Sequence, residues 1–233
     1  MKKIFVPLLI VALFSVSCDT LSQLPTGVGQ GPVTESQAGQ GIREALSNGI
    51  TSAIMNLNKE NGFFGNQAYK MFLPADAKKM ESTLRNIGLG KEVDKAILQI
   101  NRAAEDAVGY AKPIFVNAIK EMTIQDALSL VKGSPSAATD YFRAKTRTQL
   151  ITAFSPSIKS SLDKVEATKY YSDLVNTYNK IPTTIKKINP DLPSYVAEKA
   201  TDALFDQIQQ EEANIRANPA ARTSEILKKV FGM

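Results

Sequence analysis

From Thr34 onward, apolar residues recur at intervals of three and four, and no stretch sustains the two-residue alternation of a half-buried strand. That spacing restricts the chain to helices. Glycine and proline clusters cut it into segments. Thr34 with Gln37 has the form of a capping box, and Ile42, Leu46, Ala53 and Leu57 share one face of a helix running to about Asn58. The stretch "NGFFGNQAYKMFLP" interrupts it with Gly62, Gly65 and Pro74. Its Phe63 and Phe64 are expected to pack beneath the following helices, the alternative being a loop that faces a ligand or partner.

A second helix is expected from about Ala75 to Ile87, stopped by Gly88, and a third from near Lys91 with Val93, Ile97, Ala104 and Val108 in register. Gly109 and Pro113 mark a break before Ile114, Phe115, Ala118, Ile119 and Met122. Thr123 with Asp126 caps a short helix ending at Gly133, and another covers about Ser136 to Phe154. Ser155 followed by Pro156 reads as an N-cap opening a new helix toward Val165, and Thr168 to Asn179 supplies the next. After "KIPTTIKKINPDLP", Ser194 is expected to cap a long helix from Tyr195 to about Ala217, with a final short one beyond Pro219. The expectation is all-α: a single irregular bundle of about eight or nine helices across residues 34–233. No self-similarity at the periods of helical repeats is present.

The first 33 residues obey different rules. Lys2 and Lys3 precede an apolar stretch, Ile4 to Val16, that is too short for the roughly 20 residues of a bilayer span. It has the form of a signal peptide over residues 1–17. Ser15-Val16-Ser17-Cys18 then resembles the lipobox of bacterial lipoproteins, which implies that the Cys18 thiol is acylated and becomes the new N-terminus. Leu is usual where Ser15 stands. Residues 18–33 carry three glycines and two prolines with little apolar periodicity, the composition of a flexible tether. Fully extended, the segment after Cys18 reaches about 50 Å.

Composition closes off several chemistries. The chain has no histidine and one cysteine, so imidazole bases, Ser-His-Asp triads, internal disulfides and thiolate metal clusters are excluded. Removing Lys2 and Lys3 lowers the net charge from +5 to +3, and the cations are interleaved with acids along the chain. That is too mild a balance for nucleic acid. No phosphate-binding glycine loop is present, since the Gly88-Leu89-Gly90 turn lacks both spacing and flanking strand. No cofactor and no metal are expected.

Two stretches carry a resemblance: "INRAAEDAVGYAKPIFVNAIKEMTIQDALSLVKGSPSAATDYFRAKTRTQL" (Ile100 to Leu150) and "YVAEKATDALFDQIQQEEANIRANPAARTSEILKKVFG" (Tyr195 to Gly232). Together they resemble a family of uncharacterised bacterial envelope lipoproteins, a domain of unknown function. The resemblance implies an exported, mostly helical protein and brings no activity, ligand or catalytic residue with it.

On a helical wheel, Ala200, Leu204, Ile208, Glu211 and Ile215 fall on one stripe, which places Glu211 inside an apolar face. A carboxylate there needs a partner, and Lys145 or Arg143, on the helix from Ser136, is the expected one. Glu212 sits at the stripe's edge, four residues before Arg216, in position for a surface pair. The candidate polar cluster is thus Glu211, Arg143, Lys145, Arg102, Arg216 and Arg222, with arginines as anion binders and Glu211 or Asp106 as an acid or base. The structural alternative, ion pairs that fix helix register, is the favoured reading.

The functional expectation is a lipid-anchored protein of a Gram-negative envelope that faces the periplasm and acts as a non-enzymatic binding or scaffolding module. Its partners would be the membrane, through the anchor, and an envelope protein. Asp19 after the anchor resembles an inner-membrane retention signal of some lipoproteins, and the choice of membrane is left open. The alternatives are a small-ligand carrier, with an apolar cavity near Phe63, Phe115 and Phe205, and a carboxylate-based hydrolase.

Overall fold

The structure, a computed structural model, describes residues 34–74, 77–164, 166–180, 187–188, 191–218 and 228. The expected leader and tether with Cys18, as well as Arg222 and the short helix expected beyond Pro219, lie outside the described residues. Among the described residues there are eight helices: α1 (Glu35–Asn58), α2 (Lys78–Asn86), α3 (Gly90–Val108), α4 (Ala111–Glu121), α5 (Ile124–Lys132), α6 (Ala137–Lys164), α7 (Ala167–Asn179) and α8 (Leu192–Ala217). The described residues contain no strand. The protein is all-α, and its helices fall in one unit, Val33–Met233.

Both capping boxes form. Thr34 Oγ1 accepts from the Gln37 N–H at 3.2 Å while Gln37 Oε1 accepts from the Thr34 N–H at 3.1 Å, and Thr123 and Asp126 repeat the exchange at the start of α5. These reciprocal bonds satisfy amides that the first helical turn leaves unpaired. Pro113 sits in the first turn of α4, where a missing N–H costs nothing.

Two expected boundaries move. Ser155-Pro156 does not open a new helix, because α6 runs unbroken through it. Phe142, Thr146, Leu150, Phe154, Ile158 and Leu162 form one buried stripe at four-residue steps on both sides of the proline. An interior proline costs about 3 kcal/mol, and burying Ile158 and Leu162 beyond it returns about 1.5–3 kcal/mol each. At α8 the cap is Asp191 rather than Ser194: its carboxylate accepts from the Ser194 N–H at 3.2 Å, with Pro193 in the first turn.

α6 and α8 pack along each other at the centre of the bundle, with α3 and α4 against α6 and α1 against α8. The ring of Phe115 stands edge-on to Phe142 (centroids 5.8 Å) and to Phe205 (6.0 Å), and all three are fully buried. Edge-to-face geometry of this kind is favourable, and it fills the space that the apolar cavity of a small-ligand carrier would need between Phe115 and Phe205. Phe63 is also fully buried, as expected for core packing, whereas Phe64 is half-buried.

The turn that carries Phe63 depends on one glycine. Asn61 has φ of 65°, and a Cβ at Gly62 would stand 2.3 Å from the Leu57 carbonyl oxygen. No other residue fits there without displacing the end of α1.

Candidate functional site

Polar groups inside the bundle divide into those that hold helices together and those that face an open cleft. Glu105 and Glu212 are the acids buried among the described residues, and both belong to the first group. Glu105, on α3, accepts through Oε1 from the Phe63 and Phe64 amides at 3.0 and 3.1 Å, and through Oε2 from Arg102 at 2.6 Å. Arg102 reaches on to Glu60 and Asn61 at 3.2 and 3.0 Å. One carboxylate thereby fixes the whole turn after α1 to α3.

Glu212 performs the same service at the other end of the bundle. Its Oε2 accepts from the Thr139 N–H (2.9 Å) and hydroxyl (2.7 Å), and its Oε1 from the Ala138 N–H (3.1 Å) and the Arg216 guanidinium (2.7 Å). Arg216 also donates to the Leu130 and Val131 carbonyls at the end of α5. A carboxylate thus closes the N-terminus of α6 and a guanidinium the C-terminus of α5, the sign each helix dipole favours. These bonds occupy the carboxylate with structural work.

The expected pairing of Glu211 is corrected. Glu211 is half-buried and accepts from Ser52 Oγ at 2.9 Å, beside Gly49 of α1. Arg143 instead stacks on Phe205 (4.7 Å to the ring centroid), and exposed Lys145 stands 5.9 Å from the Tyr141 ring. The wheel puts Glu211 at the centre of the stripe, but the last turns of α8 are covered by the α5–α6 junction, which lies on the side of Glu212. Asp106 is exposed and accepts from Ser161 at 3.3 Å. The five described residues of the expected cluster are not one site: Arg216 and Arg102 serve separate networks, and Arg222 lies outside the described residues. Only Arg143 lines the cleft described next.

That cleft, of about 710 Å³, lies between the segment 68–73 and the helices α6 and α8. Asn101, fully buried on α3, anchors the segment that borders it: its Oδ1 accepts from the Met71 N–H and its Nδ2 donates to the Met71 carbonyl, both at 2.8 Å. An amide side chain can pair with both backbone groups of one residue only where that residue is extended, as in an antiparallel strand pair. Asn101 therefore stands in for a neighbouring strand. Tyr195 on α8 donates to the Phe72 carbonyl at 3.0 Å and holds the outer side of the segment.

Lys70, Lys78, Arg143 and Lys199 line the cleft with Asp202 and Asp206. Both acids are already engaged. Asp202 pairs with Arg147 at 3.1 Å, and Asp206 accepts from the Tyr69 hydroxyl at 2.7 Å and from Gln210 at 3.0 Å. Burial, then the bond to Asp206, pushes the Tyr69 phenol above its ordinary pKa, so it remains a donor at neutral pH. None of the four cations is in an ion pair among the described residues. Phe72, 54% exposed, lines this cleft and a second one of about 540 Å³ that runs toward α2, and Leu73 and Lys78 are likewise common to both.

Sequence reasoning missed this surface. Its signal was the "KMFLP" run, where a cation and an exposed aromatic sit in a stretch that cannot be helical. Among the described residues, no group of three or more histidine, cysteine, aspartate or glutamate side chains is placed to hold a metal ion. No helix among them is long and apolar enough to cross a membrane.

A family model described as a protein of unknown function (DUF4197) matches residues 32–232, most of the chain. The chain belongs to the DUF4197 family. No curated protein and no solved structure matches it. The DUF4197 match takes in every helix and both clefts, so the cleft and the two buried carboxylate networks lie inside the family domain.

Proposed function

We propose that this DUF4197 protein is a lipid-anchored module of the cell envelope that binds a partner through the cleft between residues 68–73 and the helices α6 and α8. The cleft carries the reading: cations that form no ion pair among the described residues, and an exposed aromatic, border an open groove, while Glu105 and Glu212 are committed to backbone amides and arginines. Arginine and aromatic side chains such as Arg143 and Phe72 are the types enriched where a protein meets another surface, and the lysines supply charge that steers and orients a partner. The leader and Cys18 support anchoring, and two acyl chains hold a protein on a membrane where one does not.

Two measurements test the reading. In cell fractionation, the natural chain is expected with membranes and Cys18→Ala in the soluble fraction; unchanged fractionation removes the anchor. In affinity capture after cross-linking, a discrete envelope protein is expected with the natural chain. It should be lost from the Lys78→Glu/Lys199→Glu variant and retained by Met55→Glu, which alters an exposed residue of α1. Equal capture by all three would remove the cleft from the account.

A further inference from the structure

We infer that the ligand of this cleft is an acidic peptide segment bound in extended form along Lys70–Leu73, with an apolar side chain set against Phe72. The inference rests on the cleft being the binding surface, and it adds the chemistry of the ligand.

Charge gives the first argument. Lys70, Lys78, Arg143 and Lys199 line the groove and are in no ion pair among the described residues, while its two acids accept from Arg147 and from Tyr69 with Gln210. A ligand that brings carboxylates meets these cations; one that brings cations meets like charge. Lys70 is held 4.2 Å from the Phe64 ring and 5.7 Å from the Phe72 ring, so this charge stays beside the exposed aromatic.

Backbone geometry gives the second. Because Met71 is extended, with both its polar groups on Asn101, those of Lys70 and Phe72 point to the opposite side. The Lys70 N–H is taken by the Asn66 carbonyl and the Phe72 carbonyl by Tyr195. The Phe72 N–H and the Lys70 carbonyl have no partner among the described residues. A donor and an acceptor left on the outer edge of an extended segment match the backbone of an added peptide strand. The two clefts meet at Phe72, Leu73 and Lys78, which favours a chain-like ligand over a compact anion.

The test uses the chain expressed without its leader and three fluorescently labelled peptides in which Leu alternates with Glu, with Gln or with Lys, alongside vesicles of anionic phospholipid. The expected result is binding of the Glu peptide, weakened by salt. Lys78→Glu/Lys199→Glu should weaken it at least about tenfold and Phe72→Ala should weaken it in salt-insensitive fashion. Lys78 and Lys199 are exposed, and unchanged helical circular dichroism shows that the variant is folded. Equal binding of the Glu and Gln peptides, or binding of vesicles but not of the Glu peptide, overturns the inference. If the Glu peptide fails while cross-linked capture still depends on Lys78 and Lys199, only the ligand class is wrong; if capture is also indifferent to them, the cleft reading fails with it.

Discussion

Replacing Glu212 with Gln separates a structural carboxylate from an idle one. Each oxygen of Glu212 accepts from at least two donors: Oε2 from the Thr139 amide and hydroxyl, Oε1 from the Ala138 amide and Arg216. The amide of Gln must place an NH2 at one of these positions, so in either orientation a donor faces donors. The Arg216 charge, with its side chain 20% exposed, loses its counter-charge at the same time. Hydrogen bonds to charged groups contribute about 1.5–3 kcal/mol each, and breaking a buried pair costs about 3–5 kcal/mol. Arg216 keeps its carbonyl acceptors on α5, which argues for the low end, about 3 kcal/mol.

Urea unfolding of residues 19–233, followed by circular dichroism, reads this directly. With a slope of about 2–3 kcal/mol per molar, the midpoint should fall by about 1–1.5 M. Glu211→Gln, which keeps an acceptor for Ser52, should stay within about 0.5 kcal/mol. Glu212→Met with Arg216→Met should recover little of the loss: it removes the orphaned charge but still strands the Ala138 and Thr139 amides, at about 1–3 kcal/mol each. Equal midpoints for Glu211→Gln and Glu212→Gln would refute the assignment of the buried role to Glu212.

Two further outcomes follow from local geometry. Asn101→Ala strands the Met71 N–H and carbonyl, at about 1–3 kcal/mol each, and should make the Lys70–Met71 bond a preferred trypsin site; an unchanged digestion pattern would contradict the anchoring role of Asn101. The Thr123 hydroxyl, with the Thr123 amide, holds the Asp126 carboxyl below its ordinary value of 3.8. A depressed folded-state pKa gives stability above the unfolded value that is lost as pH falls through the folded one. The melting-temperature gap between the natural chain and Asp126→Asn should therefore be full well above the ordinary carboxylate value and shrink as pH falls below it, and a pH-independent gap would contradict it.

The helices were legible because their cues are local. Thr34 with Gln37 and Thr123 with Asp126 are read within four residues, and the structure forms both boxes. Pro156 misled because the four-residue stripe that carries α6 through it extends on both sides, and its weight comes from packing. At the start of α8 a local signal was present: Asp191 lies three residues before the Ser194 amide that it caps, with Pro193 between them. Glu211 and Glu212 could not be ranked from a wheel, which gives direction and not the neighbour that covers it. The cleft was least legible, since its lining joins an irregular segment and the start of α2 to α6 and α8, which lie far along the sequence. Of the expected anion binders, Arg143 alone reached it.

The most direct test of the central claim is site-specific photo-cross-linking in living cells from position 72, with position 55 as the control; Phe72 is 54% and Met55 66% exposed. The account predicts a discrete adduct from position 72 that is absent from position 55 and disappears with Lys78→Glu/Lys199→Glu. The same adducts from both positions, or none from position 72, would contradict a binding role for the cleft.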